Sequence, residues 1–280
     1  MHTRADRIRS VISYIILAFF LVMTLTPVLS VTSFAFLPDK ALKQNPPQLI
    51  PDFTYLENFK FVWNSTTIPK GMLNSLLVVI GAVVLVLIIG SMGAYGTAKS
   101  SAKFRGFVYA VLLTTNMIPA MANMIPLYMI MNKLSLLNTY PGLILIYVVN
   151  SLSLSMLILI GFFKSSIAEL EEAAMIDGCN WWQAFVRISL PIAKPGLVTS
   201  VIFTFAMAWN EFMISNLIIT KPDMTTYQVA LYNIGVSYVE QNAKYNLMSA
   251  ASLLGLLPVL IVYCTFQKGI TSGITAGAIK

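Results

Sequence analysis

Glu211 is the only charge found well inside any apolar run of this 280-residue chain. It belongs to Trp209-Asn210-Glu211, within an apolar stretch from about 196 to 220. At 1.5 Å rise per residue a helix there would carry it roughly 20 Å from the cytoplasmic end. An ionisable group at such depth is costly. It marks either a path for a polar solute or a structural pairing with a polar group on a neighbouring helix. Covalent chemistry has little else to work with. The one histidine, His2, sits at a terminus, and Cys179 and Cys264 lie too far apart for metal-ligand spacing. No glycine is followed by lysine, so the chain has no phosphate-cradling P-loop. No carboxylate pair falls in an apolar run, and there is no nucleophile elbow. An enzyme, a zinc site and a disulfide framework are all disfavoured, and no metal or cofactor is expected on this chain.

The second group of interest is polar and lies in 164–195, KSSIAELEEAAMIDGCNWWQAFVRISLPIAKP. It holds Glu169, Glu171, Glu172 and Asp177, four of the eleven acidic residues. The spacing predicts two short helices. Ser165 or Ser166 caps the first, with Glu169 where a capping-box partner belongs. Ile167, Leu170 and Ala174 then share a face, with Glu169, Glu172 and Asp177 off it. Gly178 ends that helix in a left-handed turn. Asn180 caps the second, with Gln183 three residues on, and Trp181, Phe185 and Ile188 share its face. Pro191 and Pro195 bound its exit. Such a pair is too polar to enter lipid and too rich in Trp, Phe and Ile to stand bare in water. A knob gripped by a soluble partner and an amphipathic loop on the membrane surface both fit.

The elements that must hold these groups are set by composition. The chain is 57% hydrophobic and 10% charged, against about a quarter charged for a soluble domain. It reads as a polytopic membrane protein, and the net charge of +7 is not read as nucleic-acid binding. All five arginines fall in segments assigned to one side, as the positive-inside rule requires. Six spans are predicted, at about 11–36, 71–98, 107–131, 140–163, 196–220 and 247–266. Residues 37–70 form a proline-rich external loop with a short helix near 55–63, and residues 221–246 a second external loop. The third span is expected to break at Pro119 and Pro126, and it carries Asn116, Asn123 and Tyr128 at depth. Asn150, Ser151, Ser153 and Ser155 form a polar stripe on the fourth. Gly90, Gly93 and Gly96 on the second suit close helix packing.

Glu172-Ala173-Ala174, three residues, Gly178, nine residues, then Ile188-x-Leu190-Pro191 resembles the EAA loop of ABC importer permeases. The longer Glu-Leu-Glu-Glu-Ala-Ala followed by Ile-Asp-Gly is similar to the MalG-type branch that imports carbohydrates. Ala168 departs from that branch, which often has Pro there. The motif segment Met-Ile-Pro-Ala then Ile-Pro-Leu-Tyr, in the third span, shares the likeness, which covers spans three to six.

The resemblance implies an all-α membrane protein of six transmembrane helices, with a cytoplasmic two-helix coupling loop between spans four and five. It divides the chain into 1–70, an N-terminal span with its external loop, and 71–280, the core permease domain containing loop 164–195. It implies a permease subunit, not an enzyme, of a binding-protein-dependent importer of di- or oligosaccharides working by alternating access. The partners implied are a second permease of MalF type, two ATP-binding subunits, an extracytoplasmic sugar-binding protein and membrane lipid. ATP and Mg would bind on those partner subunits. The site would be a bacterial or archaeal plasma membrane, with both termini cytoplasmic. Glu169, Glu172, Ala173, Ala174, Asp177, Gly178, Ile188, Leu190 and Pro191 would contact the ATPase. Asn210, Glu211, Asn123, Tyr128 and Asn150 are candidates for the translocation path. An ion-gradient-driven secondary transporter and an importer of a non-sugar solute such as a polyol phosphate stand as alternatives. The first usually needs several ionisable groups in its spans, where this chain has one.

Overall fold

A computed structural model describes residues 4–164, 168–239 and 244–278, and all the regular structure among them is helical. Among the described residues, four helices are long and apolar enough to cross a membrane unaided: Arg9–Ala35, Ile68–Lys99, Tyr140–Lys164 and Tyr245–Gln267. Two bent pairs would bring the number to six. Long Leu/Val/Ile runs favour this solution because in lipid a helix is the element that satisfies its own backbone polar groups.

The chain forms two compact units, Met1–Ile68 with Ala230–Leu257, and Pro69–Val229 with Pro258–Lys280. In the first, α1 (Arg4–Ala35) leaves its apolar side chains between Val11 and Leu29 exposed. Two short helices follow, α2 (Asp39–Leu42) and α3 (Glu57–Ser65). Ala35, Leu37, Ala41 and Val62 are buried, as are Ala230, Ile234, Leu247 and Ala250 of the same unit.

The second unit contains α4 (Ile68–Lys99), α5 (Ala102–Met117), α6 (Met124–Lys133) and α7 (Tyr140–Lys164). On α4, Gly90 and Gly93 sit under Leu152 and Met156 of α7, as small-residue packing predicts, whereas Gly96 faces open space. Two serines of the polar stripe on α7 are spent on packing. Ser153 bonds Thr115 of α5 at 2.9 Å. Ser155 bonds Thr204 at 3.2 Å on α11 (Lys194–Trp209). Gly196 lies beneath the Phe162 ring, where an added Cβ would come within 2.5 Å of it.

Three expectations are corrected. The third span bends by 88° between α5 and α6, and Pro119 alone lies at the break. Its ring drives Ile118 into extended backbone (φ −77°, ψ 122°). Pro126 falls in the first turn of α6, where its missing N–H costs nothing. The fifth span is not continuous either. α11 stops at Trp209, and α12 (Met213–Ile218) starts after a three-residue break. Residues 221–246 are not simply a loop, since α13 (Tyr227–Val239) occupies much of them before α14 (Tyr245–Ala278). Tyr227 is buried there, stacked on Trp209 with ring centroids 5.5 Å apart.

Candidate functional site

Between α7 and α11 the chain forms α8 (Ala168–Ile176), α9 (Trp181–Ala184) and a π-helical turn, Phe185–Ser189, that runs on into α10 (Leu190–Ile192). The turn between α8 and α9 is built as its sequence requires. Gly178 adopts φ +93°. Gly178 N–H donates to Met175 at 3.1 Å and Cys179 N–H to Ala174 at 2.9 Å, closing a Schellman motif. Asn180 accepts from Gln183 N–H at 2.8 Å while the Gln183 side chain accepts from Asn180 N–H at 2.9 Å, a complete capping box. Ser165, Ser166 and Ile167 lie outside the described residues, as does the Glu169 side chain.

Pro191 does not end the second helix. It has no N–H for the Arg187 carbonyl, and the widened π turn just before it fits that loss. The axis turns only at Ala193, by 73°, into α11. Phe185 is buried there and packs on Trp181 (6.3 Å between centroids), Trp182 (5.5 Å), Tyr95 (4.8 Å) and Phe163 (6.2 Å). This aromatic cluster joins the two-helix loop to the last turns of α4 and α7.

The face buried on α8 is not the expected one. Leu170 is exposed, and Glu171 is 1% exposed. Glu171 forms an ion pair with Lys99 at the end of α4 and accepts a hydrogen bond from Ser189. Sequence reasoning missed it because it stands among four similar acids, and its partners are remote in the chain. Glu172, Ala173 and Asp177 are exposed; Ala174, Ile188 and Leu190 are half-buried; Pro191 is exposed. The outer surface therefore shows acids beside bare apolar groups, with Ile176 86% exposed and Leu170 and Trp182 about half.

A second feature of the same unit is a cavity of about 530 Å³ at the break between α11 and α12. Asn123, Asn150, Asn210 and Glu211 line it with Asn116 and the Met207 and Met213 side chains. Four of the five residues expected along a path thus meet in one place, and Tyr128 does not take part. Among the described residues, no lysine or arginine lines it. Glu211 accepts from Ile214 N–H (2.6 Å), Ser215 N–H (2.9 Å) and the Tyr147 hydroxyl (3.1 Å). It holds two donors of α12 that the break leaves without intrahelical partners. Asn210 spends its Nδ2 on the Ala206 carbonyl at 2.8 Å, closing the end of α11.

The family model described as "binding-protein-dependent transport system inner membrane component" matches residues 86–275, which include both loop and cavity. The chain is 34% identical over 278 residues to the diacetylchitobiose uptake system permease protein NgcG of Streptomyces coelicolor, covering 99% of this chain and 91% of that one. It is 30% identical over 257 residues to the trehalose transport system permease protein SugB of Mycobacterium tuberculosis, covering 91% and 92%. A crystal structure of a bacterial ABC transporter involved in the import of the acidic polysaccharide alginate has the same fold. Its matching chain superposes with a TM-score of 0.83 at 24% identity, covering 96% of this chain and 98% of that one.

Proposed function

The chain belongs to the family of binding-protein-dependent transport-system inner-membrane components, and from that premise we propose that it is the permease subunit of an ATP-driven importer of sugars. The named uptake activities of its relatives support the sugar class. In this reading the chain crosses the plasma membrane six times, α5 with α6 serving as one span and α11 with α12 as another, with both termini and the 164–195 loop in the cytoplasm. A second permease chain completes the pathway, two partner subunits bind and hydrolyse ATP, and an external binding protein delivers the sugar.

The observation that carries the reading is the shape of the loop. Its base is fixed to α4 and α7 by aromatic packing and a buried ion pair, while its far surface exposes Ile176 and Trp182 beside Glu172 and Asp177. A rigid base with a bare apolar tip suits a handle gripped by another protein. Closure of the ATPase dimer on ATP moves the handle, and the packed helices move with it. ATP must bind the two permease states with different affinity for this to drive anything. The polar cavity is the proposed passage. Its carboxamides and thioethers suit a neutral hydroxylated solute, and the absence of a cation among its described lining residues disfavours a phosphate-bearing one.

Gly178→Val tests the handle. A β-branched residue in a left-handed conformation costs about 1–2 kcal/mol, enough for a loss of docking on the order of tenfold. The complex should then co-purify poorly with its ATPase subunits, and vanadate-sensitive uptake into proteoliposomes should fall to match. Full coupling in this variant, or uptake that continues without ATP, would overturn the reading.

A further inference from the structure

The two-helix loop is tied down in two ways, and only one of them fixes a register. The first is the aromatic cluster. Tyr95, Phe163, Trp181 and Phe185 meet with centroids between 4.8 and 6.3 Å apart and planes at angles from 16° to 78°. Apolar attraction of this kind has no preferred direction. A small slide of the loop exchanges one ring contact for another.

The second tie is Glu171. Its side chain is 2% exposed. One carboxylate oxygen accepts from the Ser189 hydroxyl, and the other pairs with the Lys99 ammonium. Ser189 is itself wholly buried. Lys99 is the last residue of α4, and Ser189 is the last of the π turn that leads into α10. One carboxylate thus joins α8, α4 and the approach to α11. Its sequence neighbours, Leu170 and Glu172, are exposed, so a partner that grips them acts on the same turn of helix.

A buried ion pair is a poor device for stability alone, because well-packed apolar groups of similar volume often do as well once desolvation is counted. What it supplies is position. The attraction weakens as the groups part, and it is strongest where water is excluded. Moving α8 off its seat would leave a buried carboxylate without its counter-charge, so α4 and the π turn must follow. From that turn the chain passes through α10 and bends at Ala193 into α11. α11 runs for about 24 Å from Lys194 to Trp209, and the 530 Å³ cavity lies at its far end.

We propose that Glu171, held by Lys99 and Ser189, is the residue that couples the gripped helix to the pathway. It keeps α8 in register with α4 and with the base of α11, so that a push on the loop reaches the cavity. It is a positioning residue. The inference rests on the transport reading and names the group through which that motion passes.

The test uses the full complex in proteoliposomes with its binding protein, trehalose and diacetylchitobiose as probes, and two readouts on one sample, sugar taken up and ATP hydrolysed. Their ratio does not depend on how much complex folds, so a merely structural role would not move it. Glu171→Gln still co-purifies with the ATPase subunits and still hydrolyses ATP, but its sugar-to-ATP ratio falls about tenfold or more. Lys99→Met loses the ratio in the same way, and Lys99→Arg, which keeps the charge, retains most of it. Should Lys99→Met fail to assemble, Glu171→Gln decides. A wild-type ratio in assembled Glu171→Gln, loss of the ATPase subunits from that variant, or equal losses in Lys99→Arg and Lys99→Met each overturns the coupling role while wild-type uptake leaves the transport reading standing. A wild-type complex that neither hydrolyses ATP nor takes up sugar overturns the transport reading, and this inference with it.

Discussion

Glu171 and Glu211 are both carboxylates held inside the same unit, and they are held in opposite ways. Glu171 is almost wholly buried and faces a counter-charge, Lys99, from an element 72 residues away in sequence. Glu211 is half-buried, and two of its three partners are backbone N–H groups three and four residues ahead. The first joins remote elements and depends on charge. The second repairs a local break and depends on acceptor geometry. One fixes the base of the loop to α4, and the other keeps a helix open beside a polar cavity.

Substitutions should separate these roles, and the largest effect belongs to Lys99→Met. It strands a buried carboxylate without its counter-charge, at about 3–5 kcal/mol, seen as a large fall in the melting temperature of the purified complex. Glu171→Gln should cost less, about 1–2 kcal/mol, because the carboxamide still accepts from Ser189 and the part-exposed Lys99 can turn to water. Equal losses for the two would erase the asymmetry. At the other carboxylate, Glu211→Ala uncovers two helix donors and costs about 1–2 kcal/mol, while Glu211→Gln keeps one acceptor and costs roughly half that. Uptake should fall in Glu211→Gln with assembly intact. Unchanged uptake would reduce Glu211 to a cap for α12.

The smallest effect is expected at an exposed ion pair, Lys70 with Asp223. The hydrogen bond from Lys70, then its charge, hold the Asp223 carboxyl below its ordinary value of 3.8. A depressed carboxylate contributes above that ordinary value and loses its contribution as pH falls through the lowered one. The contribution of this pair to the melting temperature should therefore be flat above about pH 4, with a slight, salt-sensitive decline below it, and Asp223→Asn should remove that part of the decline. A decline as large as that of Lys99→Met would mean that surface pairs matter here as much as buried ones.

Much of the candidate site could be read in the sequence because its signals are local. Gly178, Asn180 and Gln183 act within six residues, and each took the conformation its neighbours dictate. The long apolar helices were legible for the same reason, apart from where they break. Pro119 broke one span because its ring acts on the residue before it, while Pro126 was harmless at a helix start. The break at Asn210 had no proline to announce it. It stands on the side chains of Asn210 and Glu211, which supply the bonds that a continuous helix would have made. The α13 helix was hidden because its polar residues read as a loop until Tyr227 found Trp209.

By itself the sequence determined the membrane class, the two-helix loop with its turn and its Asn180 cap, and the family, since apolar run length, a left-handed glycine and a capping box are set by adjacent residues. Only the tertiary structure decided that Glu171 is buried against Lys99, where the helix opens after Trp209, and which asparagines share a cavity. Those outcomes depend on groups far apart in the chain, such as Lys99 with Glu171 or Asn58 with Asn246. A buried polar group takes whatever partner packing brings to it, and that partner is not written beside it.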